Sequence, residues 1–190
     1  NNFNSRGISL LGSNNNTISD SIIQANSGYG IALGTGSDQN NITNNLIQGG
    51  GAYAVNVNSA VYNTFSGNTI ASNSGGGLLV QSNSNHNILS NNIFRDNGGS
   101  SSNDSINLSN SDSNSIIGNR IVDTAGTGYA INISDSTSDT NYLADNYFSG
   151  TGASSMSDSG TGTTYGGQTN SSGTFAIQNA GGIALASLGG

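Results

Sequence analysis

Apolar residues recur along the chain in pairs separated by one residue: Ile8/Leu10, Ile31/Leu33, Val55/Val57, Leu78/Val80, Ile106/Leu108, Ile131/Ile133 and Ile183/Leu185. A second apolar site follows each of the first six pairs, at Ile18, Ile42, Phe65, Ile88, Ile116 and Leu143. A third comes shortly after, at Ile23, Ile47, Ile70, Ile93, Ile121 and Phe148. From one pair to the next the spacing is 23 to 28 residues over the regular part of the chain. Three apolar sites per period in constant phase are the signature of a solenoid. Segments such as Gly7-Ile8-Ser9-Leu10 and Gly30-Ile31-Ala32-Leu33 alternate with period two, as strands do. The Asn/Ser/Gly clusters between them are turn formers, and no segment shows the spacing of an amphipathic helix. Each repeat therefore predicts three short strands and three turns, one triangular coil of a parallel β-helix. Seven to eight coils stacked at about 4.8 Å would make a rod about 35 Å tall.

A polar column accompanies the apolar ones. The residue two before each third-strand site is Ser21, Asn45, Asn68, Asn91, Asn119 or Asn146. Asn accepts the left-handed conformation that tight turns need, and its amide can bond to an Asn above and below. The pattern predicts an asparagine ladder.

Repeats such as Gly30-Ile31-Ala32-Leu33 followed by Asn40-Asn41-Ile42-Thr43-Asn44-Asn45-Leu46-Ile47 resemble the β-helix repeats of the pectin-lyase-like superfamily. The resemblance covers residues 6–148, fades over 149–174 and returns weakly at 175–190. It implies an all-β, right-handed parallel β-helix and raises the prospect of a polysaccharide partner. The superfamily includes pectate lyases, polygalacturonases, alginate-acting epimerases and many non-catalytic surface proteins, so fold alone does not assign a function. The chain reads as one solenoid domain over 1–190. Residues 1–148 form regular coils and 149–177 a degenerate coil or long turn, with Met156, Tyr165 and either Phe175 or Ile177 at its three apolar sites. Residues 178–190 read as a terminal strand able to pair with a neighbouring subunit.

Composition narrows the picture. The chain has no Cys, Pro or Trp, ten acidic residues (all Asp) and three basic ones, Arg6, Arg95 and Arg120, for a net charge of −7. Three scattered arginines cannot neutralise a phosphate track, which argues against nucleic acid. No apolar run is long enough to span a membrane as a helix, and no disulfide framework exists. A surface of Asn, Ser, Thr and Gly without Lys suits an extracellular or cell-surface address. The chain begins at Asn1 rather than Met, so it is expected to be a processed product or a fragment.

In enzymes of the resembled superfamily the cleft lies on the outer face of one strand stack. Taking the Gly-Ile-x-Leu strand as that stack, the outward residues are Ser9, Ala32, Asn56, Leu79, Asn107, Asn132 and Ala184. None is an acid or a base, whereas lyases need a base and carboxylates for Ca²⁺, and hydrolysis needs two facing carboxylates. The aspartates fall in turns. Asp38 and Asp112 precede second strands, Asp96, Asp104 and Asp123 could converge on one edge of the cleft, and Asp135 and Asp139 flank a turn near Asp112. Turn aspartates usually bond their own backbone. His86, the single histidine, is expected at the turn-to-strand position that Asn40 holds in another coil and reads as exposed scaffolding. Arg120 and Tyr147 are expected side by side on the outer face of the third strand. Tyr29, Tyr53 and Tyr129 are expected as an aromatic stack in the wall. No catalytic, cofactor-binding or metal-ligating residue is assigned.

Two classes of function compete. One is a non-enzymatic extracellular structural protein, a surface or filament subunit stacking head to tail. Asn1-Asn2-Phe3 enters in mid-coil and Gly182-Ile183-Ala184-Leu185 reopens a first strand, so one copy could complete the next. The other is a polysaccharide-binding or polysaccharide-acting β-helix protein.

Overall fold

Alternating strands separated by left-handed turn residues leave the chain one efficient way to bury its apolar sites: winding into stacked coils. The computed structural model describes residues 6–99, 103–124, 127–170 and 176–179. It is a right-handed parallel β-helix whose first, second and third strands form three parallel sheets. Sheet A has eight strands, from Arg6–Leu10 to Ala176–Asn179. Sheet B has seven, from Thr17–Ser19 to Thr164–Tyr165, and sheet C seven, from Ile22–Gln24 to Thr169–Asn170. Seven coils are therefore complete, and an eighth opens at Ala176.

The inward residues stack in register. In sheet A the column runs Ile8, Ile31, Val55, Leu78, Ile106, Ile131. With its neighbours it forms one continuous apolar core. A single coil buries too few side chains to offset the entropy of ordering its backbone, so each coil depends on the ones above and below.

The fourth coil corrects the sequence reading by one residue. Leu89, not Ile88, pairs with Phe65 and Ile116. Phe94, not Ile93, pairs with Ile70 and Ile121. Ile88 and Ile93 face outward, 43% and 40% exposed. The turn from Val80 to Asn87 is one residue longer than that from Val57 to Asn63, and it absorbs the extra residue with Ser82 and Asn83 both left-handed (φ 59 and 60°). The pairs Ile88-Leu89 and Ile93-Phe94 offer an apolar side chain in either phase, which hid the slip.

The asparagine ladder is present with the same shift. It runs Asn45, Asn68, Asn92, Asn119, Asn146, with Asn92 in place of the expected Asn91. The Oδ1 of each residue from Asn68 upward accepts both the backbone N–H and the Nδ2–H of the residue one coil before, as Asn92 does from Asn68 at 2.9 and 3.0 Å. A second ladder before sheet B runs Asn16, Asn40, Asn63, Asn87, Asn114, Asn141. A short third links Asn73 and Asn97 at the corner between sheets C and A. Buried serines add another column, in which the Ser84 N–H donates to Ser111 Oγ and the Ser111 N–H to Ser138 Oγ. These side chains tie successive turns together and satisfy most polar groups buried inside the wall, Asn114 Nδ2 and Ser105 Oγ being exceptions.

In the seventh coil Tyr165 pairs with Leu143 at the second site, as the sequence suggested. The third site is Asn170, paired with Phe148, rather than Phe175 or Ile177. Ile177 instead pairs with Met156 and opens the eighth coil. Asp158 takes the core position above Ile133 and is fully buried, its carboxylate accepting the Gly160 N–H and the Tyr165 hydroxyl. Asn1–Phe3, Ile183 and Leu185 lie outside the described residues.

Candidate functional site

Alternation along sheet A sends one side chain per coil outward between the two core residues. The column reads Ser9, Ala32, Asn56, Leu79, Asn107, Asn132, Ser157. Ala184, expected at its end, lies outside the described residues. The amides do not stand singly. Gln81 Nε2 donates to Asn56 Oδ1 at 2.7 Å. Asn107 and Asn132 both donate to Asp104 Oδ2, at 2.7 and 2.9 Å, and Ser134 Oγ donates to Asn107 Oδ1 at 3.0 Å. The other Asp104 oxygen accepts the Tyr129 N–H at 2.8 Å. Asp104 is only 4% exposed, so the amides it orients form the surface.

Tyr53 borders this cluster. Its ring covers Gly76, where an added Cβ would lie 2.4 Å from Tyr53 Cε1, and the glycine's φ of +117° would itself strain a side chain. Burial, and then the Asp104 charge, pushes the Tyr53 hydroxyl up to about 12. Tyr29, Tyr53 and Tyr129 share this column, but Gly76 and Asp104 occupy the levels between Tyr53 and Tyr129. The expected three-tyrosine stack is therefore interrupted.

The other sequence candidates are spread around the coil. Asp96 and Asp123 occupy successive levels of the corner between sheets C and A, where their N–H groups donate to Val122 and Ser149. The Asp96 carboxylate accepts the Thr124 N–H and hydroxyl, and Asp123 is buried. Asp104 stands at the edge of sheet A, committed to Asn107, Asn132 and Tyr129. At the corner between sheets A and B, Asp38, Asp112 and Asp139 each turn Oδ1 to a backbone N–H in the next coil: Val61 at 2.9 Å, Asp139 at 2.8 Å and Thr161 at 3.0 Å. The Thr161 hydroxyl and N–H hold Asp139 below the usual carboxylate range, and the Thr137 N–H and hydroxyl do the same for Asp135. Arg120 and Tyr147 pair in register on the outside of sheet C, the guanidinium 5.4 Å from the ring centre. His86 does not occupy the level of Asn40; Asn87 does. His86 lies one residue earlier, on the outer corner, stacked on Tyr62 with ring centres 5.0 Å apart and planes within 6°. The sequence did not point to this pair, because the one-residue slip separated its members.

Three parallel sheets, buried Asn ladders and an amide-lined outer face define a β-helix of the pectin-lyase-like superfamily. The sequence profile of the family described as periplasmic copper-binding protein (NosD) matches residues 1–100, and the chain belongs to that family. No curated protein matches the chain. Among solved structures, the alginate lyase from Paenibacillus sp. str. FPU-7 is similar over 79% of this chain and 80% of that one, with 15% identity and a TM-score of 0.41.

The family's description raises copper, and the residues present do not fit it. Protein copper sites draw on imidazole, thiolate and thioether donors. This chain has one His, one Met and no Cys. Met156 is sealed in the core and His86 is stacked on Tyr62. Among the described residues no group of three His, Cys, Asp or Glu side chains could hold a metal ion. Nor does any helix among them have the length and apolarity to cross a membrane.

Proposed function

We propose that this chain is a glycan-binding β-helix working outside the cytoplasm, holding a neutral polysaccharide against the outer face of sheet A without cleaving it. The observation that carries this reading is the half-buried amide set of Gln81, Asn107 and Asn132, the first braced by buried Asn56 and the last two oriented by buried Asp104. Amides fixed on a rigid sheet offer donors and acceptors to sugar hydroxyls at little cost in side-chain entropy. The charge balance selects against uronates, since a net −7 with three arginines repels an acidic chain. Turnover is disfavoured because both oxygens of Asp104 already accept hydrogen bonds, leaving it poorly placed to take a proton. The periplasmic description of the family supports an address beyond the cytoplasm. Head-to-tail stacking would use Asn1–Phe3 and residues 178–190, nearly all outside the described residues, so no contact here favours it over glycan binding.

Affinity electrophoresis tests the proposal. Native gels cast with xylan, glucomannan or hydroxyethylcellulose should retard the protein, and an alginate gel should not. The Asn107→Ala/Asn132→Ala variant should lose the retardation while keeping its circular dichroism. Retardation by alginate, with release of unsaturated oligomers, would overturn it.

A further inference from the structure

We infer that Tyr62 and His86 form an apolar subsite that packs against one pyranose ring of the bound glycan, an assignment that rests on the glycan-binding reading above. The two residues occupy one column at the corner between sheets A and B, which reads Asn15, Gln39, Tyr62, His86, Ser113, Thr140 on successive coils. All six are left-handed, with φ from 55 to 59°. That conformation suits Asn and strains larger side chains. The corner itself does not call for aromatic rings, since four other coils turn it with small or polar residues. The rings also serve no core: Tyr62 is 56% exposed, His86 is exposed, and Ile88 beside them faces outward. Backbone hydrogen bonds hold the pair in place, from the Tyr62 N–H to Asn85 O and from the His86 N–H to Asp112 O.

The surroundings select a sugar over other apolar partners. The neighbouring corner column places Asp38 one coil below Tyr62 and Asp112 one coil above His86. Each is half-buried and spends Oδ1 on a backbone N–H, with no hydrogen bond to Oδ2 among the described residues. Stacking covers one face of each ring and leaves the opposite faces and the edges of the pair, which, bracketed by carboxylate acceptors, match a pyranose with its apolar C–H face rimmed by hydroxyl donors. The Ser113 and Thr140 hydroxyls, 2.9 Å apart, continue the polar rim upward. The same two carboxylates exclude a uronate at this position.

Saturation-transfer NMR with cellohexaose, mannohexaose and maltohexaose tests the subsite. The variant is Tyr62→Asn/His86→Asn, which installs the residue that the column itself uses at Asn15 and so keeps the turn intact. Irradiating the aromatic protons of the wild type should saturate ring protons of at least one hexaose. The variant should lose that transfer and bind about ten-fold more weakly, the size of one aromatic contact, with unchanged melting temperature. A variant that binds as well as the wild type overturns the subsite and leaves glycan binding at sheet A standing. Absence of binding of any of the three hexaoses to the wild type overturns both. Concentration-dependent self-association of the wild type that disappears in the variant, measured by analytical ultracentrifugation, would make the patch a contact between copies and overturn the subsite.

Discussion

Asn91 and Asn92 are adjacent and chemically identical, yet the fold uses them in opposite ways. Asn92 is buried, its Oδ1 accepting two bonds from Asn68 and its Nδ2 donating to Phe65 O and Asn119 Oδ1. Asn91 is exposed at φ 55°. Removing the Asn92 amide strands partners above and below, and each buried group left unmatched costs about 1–3 kcal/mol. Asn92→Leu should therefore lose about 2–4 kcal/mol in urea unfolding, while Asn91→Gly, free of strain at positive φ, should be near neutral. Equal losses at the two positions would refute the ladder as placed. Tyr53 provides a pH test at the same scale. Its folded value of about 12 lies above the ordinary 10, so folding favours the neutral phenol. That stability is whole below pH 10 and is lost as pH rises from about 10 through 12. Phenolate absorbance should show one tyrosine titrating late, and Asp104→Asn, which removes the lesser of the two raising causes, should bring it earlier. Tyr165, raised by burial and by Asp158, should also titrate late.

Within each strand the decisive variable is phase. Ile70 is inward between Ile47 and Phe94, whereas Ile93 is outward in the next coil. Ile70→Asp would bury an unpaired charge in the core and should abolish the β-sheet circular dichroism signal. Ile93→Asp places a charge on the outer face and should shift stability by no more than about 0.5 kcal/mol. A folded Ile70→Asp, or an unfolded Ile93→Asp, would show the fourth coil to be misphased. Ile42 and Phe65 each sit between two polar neighbours, and at these two sites and at Ile116 and Leu143 the phase read from the sequence is the one the strands adopt. In the fourth coil two adjacent apolar residues compete, and only pairing with Phe65 and Ile70 decides between them.

For the molecule as a whole, cohesion comes from coil-on-coil stacking. Treatment with EDTA should leave the melting temperature unchanged, and protein desalted after exposure to Cu²⁺ should retain less than stoichiometric copper by mass spectrometry. Retention of one copper per chain, lost in His86→Asn, would contradict the donor argument. The period, the three-sided coil, the parallel all-β class and the existence of an Asn ladder could all be read from the sequence, because side-chain alternation and turn chemistry are local and repeat with every coil. The site could not. Asp104 meets Asn132 across 28 residues and Tyr62 meets His86 across 24. Such meetings depend on how many residues each turn spends before its strand re-enters the stack. Turn length varies from coil to coil, and the register is fixed only when the backbone of one coil hydrogen-bonds to the next. The sequence therefore determined the scaffold, and the stacked structure decided which side chains share a corner.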